Sequence, residues 1–217
     1  ILSRLYGIEL RDGDVNLNLS PKISINSNFL TIINLDSSRK NKYIKLFPNL
    51  NYYNDLKNAK LNLNNNLSIN FDNTYKVENY NFTSSGTLDQ ARFKFKEKIK
   101  NDYFGQDINE LFIQNSEINS KFSSDEKSVN IFGKYSLNNK NFLNYKIKNT
   151  FDKEVTNLEL DIEYDKQLNF DFINYQNNEN STIDLSLNLK KKKNSLEIKK
   201  FNLRENKNNI LVDNIIL

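Results

Sequence analysis

The 217 residues contain no cysteine, histidine, methionine or tryptophan. Without cysteine there is no disulfide, no thiol nucleophile and no thiolate metal site, and the redox compartment cannot be read. Without histidine most zinc sites and the commonest general base disappear as well. Glycine (5) and proline (2) are scarce. That argues against a low-complexity linker, and no glycine-rich phosphate loop is present. Nor does any apolar run approach the roughly 18 residues that span a bilayer as a helix. The longest, Asn28–Leu35 (NFLTIINL), has the length of a strand.

Hydrophobic residues make up 37% of the chain and the mean hydropathy is -0.71. Fifteen Phe and eleven Tyr are nevertheless too many aromatics for a disordered chain. About a fifth of the residues are asparagine. Asn, Lys, Ile, Tyr and Phe share A/T-rich codons, so base composition explains much of this usage. The 31 basic and 27 acidic residues leave a net charge of +4. Both signs are interspersed, which favours a solvated surface over a nucleic-acid site.

Alternation with period two dominates, the mark of strands with one apolar face. Val15, Leu17 and Leu19 alternate up to Pro21, which marks a turn or an edge. Ile23 and Ile25 follow, then Leu30, Ile32 and Leu35. Leu61 and Leu63 precede an Asn-rich turn, then Leu67, Ile69 and Phe71. The apolar phase flips between Val77 and Tyr80, as at a β-bulge. Phe93 and Phe95, Val129 to Leu137, Leu143 to Ile147 and Leu158 to Tyr164 continue the pattern. The expected fold is all-β: a dozen or more strands, mostly of 6 to 10 residues, in a long antiparallel meander. A short helix is expected within Phe47–Ala59, capped by Asn49, and a helical turn within Gly105–Ile113, capped by Asp107. The pattern weakens near 101–108, a weak boundary in one segment spanning 1–217. A three-residue loop, Asp165–Gln167, would place Leu168 opposite Tyr164 and begin a strand through Phe170 and Phe172.

Lys190 to Lys193 interrupt two alternating runs. Ile183, Leu185, Leu187 and Leu189 lie before them, Leu196 and Ile198 after. They are read as a solvated hairpin tip, with contact to an anionic membrane surface the one functional role kept open.

No catalytic constellation emerges, and a non-enzyme without cofactor or metal is expected. Asp161 and Glu163 share a strand's polar face, where solvation is the ordinary outcome; a catalytic dyad needs burial and convergent partners. Arg11–Asp14 (RDGD) lacks the remaining ligands of a calcium loop and reads as a hairpin turn. The sequon at Asn81 is what so much Asn supplies by chance. The aromatics alternate like core residues rather than forming a base-stacking platform.

A sheet with one continuous apolar face must cover it. Low glycine argues against the corners of a small closed barrel or sandwich. Aromatics in mid-strand argue against the girdles of an outer-membrane barrel. A curled sheet forming an open groove fits better, and acyl chains would occupy it at about 0.8 kcal/mol per buried CH₂. The best-supported lipid-facing positions are Leu158, Leu160, Ile162, Leu168, Phe170, Phe172, Ile183, Leu185, Leu187 and Leu189.

LRDGDVNLNLSPKISINSNFLTIIN near the start has the cadence of a turn and two strands with an L-x-I pattern. NSLEIKKFNLRENKNNILVDNIIL near the end repeats that cadence. In this pattern the chain resembles the repeated units of the AsmA-like superfamily of bridge-like envelope proteins, of the TamB and YhdP type. The likeness covers most of the chain and contains no diagnostic motif. It implies a periplasmic β-groove in a Gram-negative bacterium, carrying phospholipid between inner and outer membranes and serving envelope maintenance and outer membrane biogenesis. It also implies anchoring in the inner membrane by an N-terminal helix absent here, an outer-membrane protein partner, and no nucleic acid. The start at Ile1 rather than Met fits a piece of a longer chain. The alternatives are a structural or adhesive β-sandwich domain of a secreted or surface protein, and the strand region of an outer-membrane assembly or lipopolysaccharide-transport protein.

Overall fold

The computed structural model describes residues 3–5, 8–20, 22–36, 38, 55–100, 105–171, 174–177 and 181–216. Fourteen strands run through them: β1 (Ser3–Leu5), β2 (Ile8–Asn18), β3 (Ser24–Leu35), β4 (Leu56–Phe71), β5 (Val77–Ile99), β6 (Ile108–Ser123) and β7 (Lys127–Leu137), then β8 (Leu143–Phe151), β9 (Thr156–Tyr164), β10 (Asn169–Phe170), β11 (Tyr175–Gln176), β12 (Ile183–Lys192), β13 (Ser195–Glu205) and β14 (Asn208–Ile216). Twelve form one antiparallel sheet in the order β1 to β9, then β12, β13, β14. β10 and β11 form a separate two-stranded sheet. The large sheet does not close, and it makes an open, curled groove with almost no helix. The all-β meander read from the sequence is therefore the observed fold.

The strands are longer than the 6 to 10 residues expected. β4 and β6 have 16 residues and β5 has 23, so β5 extends over roughly 75 Å at the usual rise. The expected Asn-rich turn after Leu63 does not exist. Asn64, Asn65 and Asn66 lie inside β4, paired on both sides. The reason is local. Asn65, 4% exposed, donates from Nδ2 to the Phe29 carbonyl (3.0 Å), Thr31 Oγ1 (2.9 Å) and the Leu63 carbonyl (3.1 Å), and its Oδ1 accepts from Ser84 Oγ at 2.7 Å. A turn residue elsewhere is here a satisfied strand residue.

The RDGD turn is likewise absent. Arg11 to Asp14 is a register shift inside β2, with Asp12 at φ 48°. Side chains stiffer than Asp or Asn rarely adopt that conformation. The helical turn expected over Gly105–Ile113 is overruled from Ile108 onward. Leu111 pairs with Phe93 and Ile113 with Ala91, while Asn138 Oδ1 accepts from the amides of Asn109 (2.8 Å) and Glu110 (3.2 Å). Of the helix expected within Phe47–Ala59, residues 47–54 lie outside the described residues and Leu56–Ala59 belong to β4. Of the weak boundary near 101–108, residues 101–104 lie outside them, and β5 and β6 on either side are paired neighbours. Pro21 is also outside them.

Bulges keep one face apolar along strands this long. The flip between Val77 and Tyr80 is a register shift at Asn70/Phe71, as expected. Another lies at Asn115 (φ 49°), where the inward set of β6 changes from Leu111 and Ile113 to Ser116, Ile118 and Phe122. A third, between Asn188 and Leu189, leaves Lys199 without a partner on β12 and brings Leu196, Ile198, Phe201 and Leu203 to one face.

The three-residue loop after Tyr164 is corrected too. Tyr164 pairs with Ile183 of β12. Leu168 and Phe170 leave the large sheet and fold over its apolar face. β12 offers nine paired residues to β9, whereas the segment after Leu168 runs soon into Asn174 (φ 49°) and Asn177. Asn177 clasps this cap: its Oδ1 accepts from the Leu168 amide (2.7 Å) and its Nδ2 donates to the Lys166 carbonyl (3.1 Å). The Gly105 amide reaches the Gln167 carbonyl at 2.8 Å. Beneath the cap lies a buried cluster of Tyr164, Leu168, Ile183 and Leu203, packed on by Leu137, Phe170, Tyr175, Leu185, Phe201 and Ile210. A second buried cluster, Leu35, Leu56 and Ala91, joins β3, β4 and β5.

Candidate functional site

Register defines the inner face. Across the middle of the sheet Thr31, Leu63, Gly86, Ile118, Ile131, Ile147, Leu160, Leu187, Phe201 and Val212 are successive cross-strand neighbours. Directly paired residues point to the same side, so this row runs along the groove, across the strands. Flanking rows repeat the chemistry, for instance Ile162 with Leu185 and Leu158 with Leu189. Among the described strands from β3 to β13, the register-paired inner face has three charged side chains. Lys127 and Lys191 stand at the turn margin, and Glu205 lies under the cap. The outer face is ionic, with Arg92 bonded to Glu110 at 2.9 Å, Lys60 paired with Asp89 at 3.3 Å and Lys148 with Glu159 at 3.7 Å.

Six of the ten expected positions form one contiguous patch. Leu158, Leu160 and Ile162 of β9 face Leu189, Leu187 and Leu185 of β12, all half-buried. Ile183 (0% exposed) and Leu168 (1%) are instead sealed within the buried cluster beneath the cap. Phe170 belongs to the cap itself, its ring 6.4 Å from that of Phe201 and 6.1 Å from that of Tyr175. Phe172 lies outside the described residues.

Beside the patch is an apolar depression of about 160 Å³. Leu111, Ile113, Tyr135, Tyr145 and Ile147 line it together with Leu160 and Ile162. The alternation of β7 and β8 marks Tyr135, Tyr145 and Ile147. Leu111 and Ile113 were hidden by the expected helical turn. Both tyrosines turn their hydroxyls to protein: Tyr135 OH donates to the Glu163 carbonyl (2.5 Å) and Tyr145 OH to Ser116 Oγ (2.9 Å). Burial pushes both phenols above their ordinary range; for Tyr135 the negative charges of Tyr164, Asp165 and Glu163 add to it, and for Tyr145 the Ser116 bond opposes it.

A polar track crosses the same face. Ser120, Ser84 and Asn65 are consecutive neighbours, and a ladder of rings flanks it, Phe82–Phe122 at 6.2 Å and Phe122–Phe151 at 6.1 Å. Asp161 and Glu163 sit on the outer face, Asp161 opposite Lys146. Glu163 accepts from the Asn144 amide (2.9 Å) and Nδ2 (2.8 Å). Such bonds position a solvated carboxylate, and no buried acid–base pair results. Among the described residues no group of acidic side chains is placed to hold a metal.

Leu158, Leu160, Ile162, Leu185, Leu187 and Leu189 stay half-buried among the described residues, so this part of the inner face is incompletely covered there. Together, fold and surface define the class: an open antiparallel sheet whose inner face is largely apolar and nearly free of charge, with an ionic outside. No family model, curated protein or solved structure matches the chain.

Proposed function

We propose that the inner face carries lipid acyl chains, and that the chain is a non-enzymatic lipid-transfer segment of the AsmA-like kind, working in a Gram-negative periplasm between inner and outer membranes. The observation that carries this reading is the inner face, continuous across the ten strands β3–β9 and β12–β14, nearly free of charge, and among the described residues covered by a second layer only at the cap. About 9 strand spacings make that face roughly 40 Å long. Hydrocarbon gains about 0.8 kcal/mol per buried CH₂ there, and the three charged side chains on the face lie at the turn margin and under the cap, away from the central row. The half-buried state of Leu158, Leu160, Ile162, Leu185, Leu187 and Leu189 leaves them room for such contact. A β-sandwich scaffold needs a second sheet over this face, and among the described residues only the two-stranded β10–β11 lies on it.

Photocrosslinking tests the proposal. Leu187 faces inward between Leu160 and Phe201, and Ser186 faces outward between Asp161 and Asn202. A photoreactive residue at 187 yields lipid adducts in cells with a Gram-negative envelope, and one at 186 yields none. Adducts from 187 only to the chain itself would sink the groove and leave a scaffold.

A further inference from the structure

We propose that the corner of the sheet where β12 and β14 end and β13 begins docks on an anionic lipid surface. The hairpin turn there is only Lys193-Asn194; β12 continues through Lys192. Lys191, Lys192 and Lys193 are exposed and Lys190 is half-buried. None of the four joins an ion pair among the described residues. Some other lysines are paired, Lys22 with Glu78, Lys60 with Asp89 and Lys121 with Glu126, while others, Lys134 and Lys140 among them, join no ion pair among the described residues. What sets this tip apart is four consecutive lysines, three of them exposed.

The second observation is apolar. Lys190 pairs with Glu197, and Glu197 pairs with Ile216. Two strand spacings, roughly 10 Å, therefore separate the lysine run from Ile216, which is 76% exposed, and its neighbour Ile215 is 37% exposed. Successive side chains point to opposite faces, so the two isoleucines project from both sides of the edge strand. Cations beside apolar side chains at one margin fit the boundary of a bilayer, where phosphates meet lysines and hydrocarbon receives the isoleucines. A nucleic acid would use the charge and leave Ile216 in water. The neighbouring turns have a net negative charge, with Asp152 and Glu154 around Lys153 in one and Asp125 and Glu126, the latter paired with Lys121, in the other, which favours contact at this corner.

Flotation of the 217-residue chain with vesicles tests this. Phosphatidylcholine vesicles doped with phosphatidylglycerol bind the chain, and pure phosphatidylcholine does not. Each lysine near such a surface contributes about fivefold, so K191S/K192S/K193S loses roughly a hundredfold. The exposure of these positions keeps that variant folded, which circular dichroism checks. Ile216→Ser weakens binding about tenfold without changing its salt dependence. Equal binding to both vesicle types, retention by the triple variant, or binding only to a single-stranded oligonucleotide overturns the proposal. Crosslinking at 187 reads the inner face separately, so either reading can fail while the other stands.

Discussion

Ser116 occupies the space that a side chain at Gly133 would need. A Cβ at 133 would lie 2.1 Å from Ser116 Oγ and 2.5 Å from its Cα. Ser116 is pinned there: the bulge at Asn115 turns it inward, and Tyr145 OH donates to its Oγ while that Oγ donates to the Gln114 carbonyl at 3.1 Å. Tyr145 is also the cross-strand partner of Gly133. Gly133→Ala is therefore expected to destabilise by about 1–3 kcal/mol, the usual cost of overpacking. Urea denaturation reads this; a neutral result would mean that β6 and β7 lie farther apart than described.

Asn65 supports a second expectation. Replacing it with alanine leaves Ser84 Oγ and Thr31 Oγ1 without their amide on a strand interior. About 1–3 kcal/mol should be lost, the penalty for stranding buried polar groups. Asn64→Ala and Asn66→Ala, whose side chains alternate to the other face, should cost well under half of that. Equal costs at all three positions would restore the turn that β4 replaces.

The alternation of apolar residues made the strand content, a hairpin beside the lysine run and the patch of β9 with β12 legible; the tip itself is shorter than the Lys190–Lys193 expected, because Lys190–Lys192 pair within β12 and only Lys193-Asn194 turn. Periodicity reports which residues share a side, and it survives in any all-β arrangement. What it hid was asparagine's double role. At Asn64–Asn66 the residue sits inside a strand, while at Asn115, Asn138, Asn139, Asn174, Asn206 and Asn214 it holds positive φ. Ordinary propensity assigns both to turns. The cap was also invisible. Leu168 and Phe170 alternate just as Ile183 and Leu185 do, and only competition for the edge of β9 decides which segment joins the sheet. Leu111 and Ile113 were missed for the opposite reason, a polar lead-in that mimics a helix cap.

Burial separates the sealed core from the open face, and a carboxylate distinguishes them. Leu203 is fully buried beneath the cap. Leu203→Asp places a charge with no partner there and is expected to cost more than about 4 kcal/mol. Leu187 is half-buried on the open face, where water reaches the same group. Leu187→Asp is expected to cost only about 1–2 kcal/mol, inside the ordinary range. Paired denaturation curves decide it: similar losses would mean that the inner face is a closed, dry core.

Acid should loosen the turns. Hydrogen bonds from Thr74 and Lys76 hold Asp72 below its ordinary pKa, and the amides of Glu154 and Val155 do the same for Asp152. A depressed carboxylate stabilises the fold above its unfolded pKa, near 4, and that contribution is lost as pH falls through the folded value. Asp72→Asn with Asp152→Asn should therefore flatten the stability profile below about pH 4. An unchanged acid limb would show that these turns are not coupled to unfolding.

Alkali should act on the opposite flank through the buried phenols. Burial and the neighbouring Asp165 push Tyr164 up to about 12, and burial raises Tyr135 as well. An unfolded tyrosine titrates near 10. Between about pH 10 and 12 the unfolded chain has released protons that the folded chain retains, so stability is fully present below this window and falls as pH rises through it. Followed by tyrosinate absorbance, a fraction of the tyrosine signal should appear only as the sheet signal disappears. Tyr164→Phe should shrink that late fraction and make the alkaline loss of stability shallower. The hydroxyl of Tyr135, donating to the Glu163 carbonyl across β8, should keep part of it in place. Ionisation of all tyrosines near 10, with the sheet signal intact, would contradict the burial of Tyr135 and Tyr164 and with it the packing of the cap.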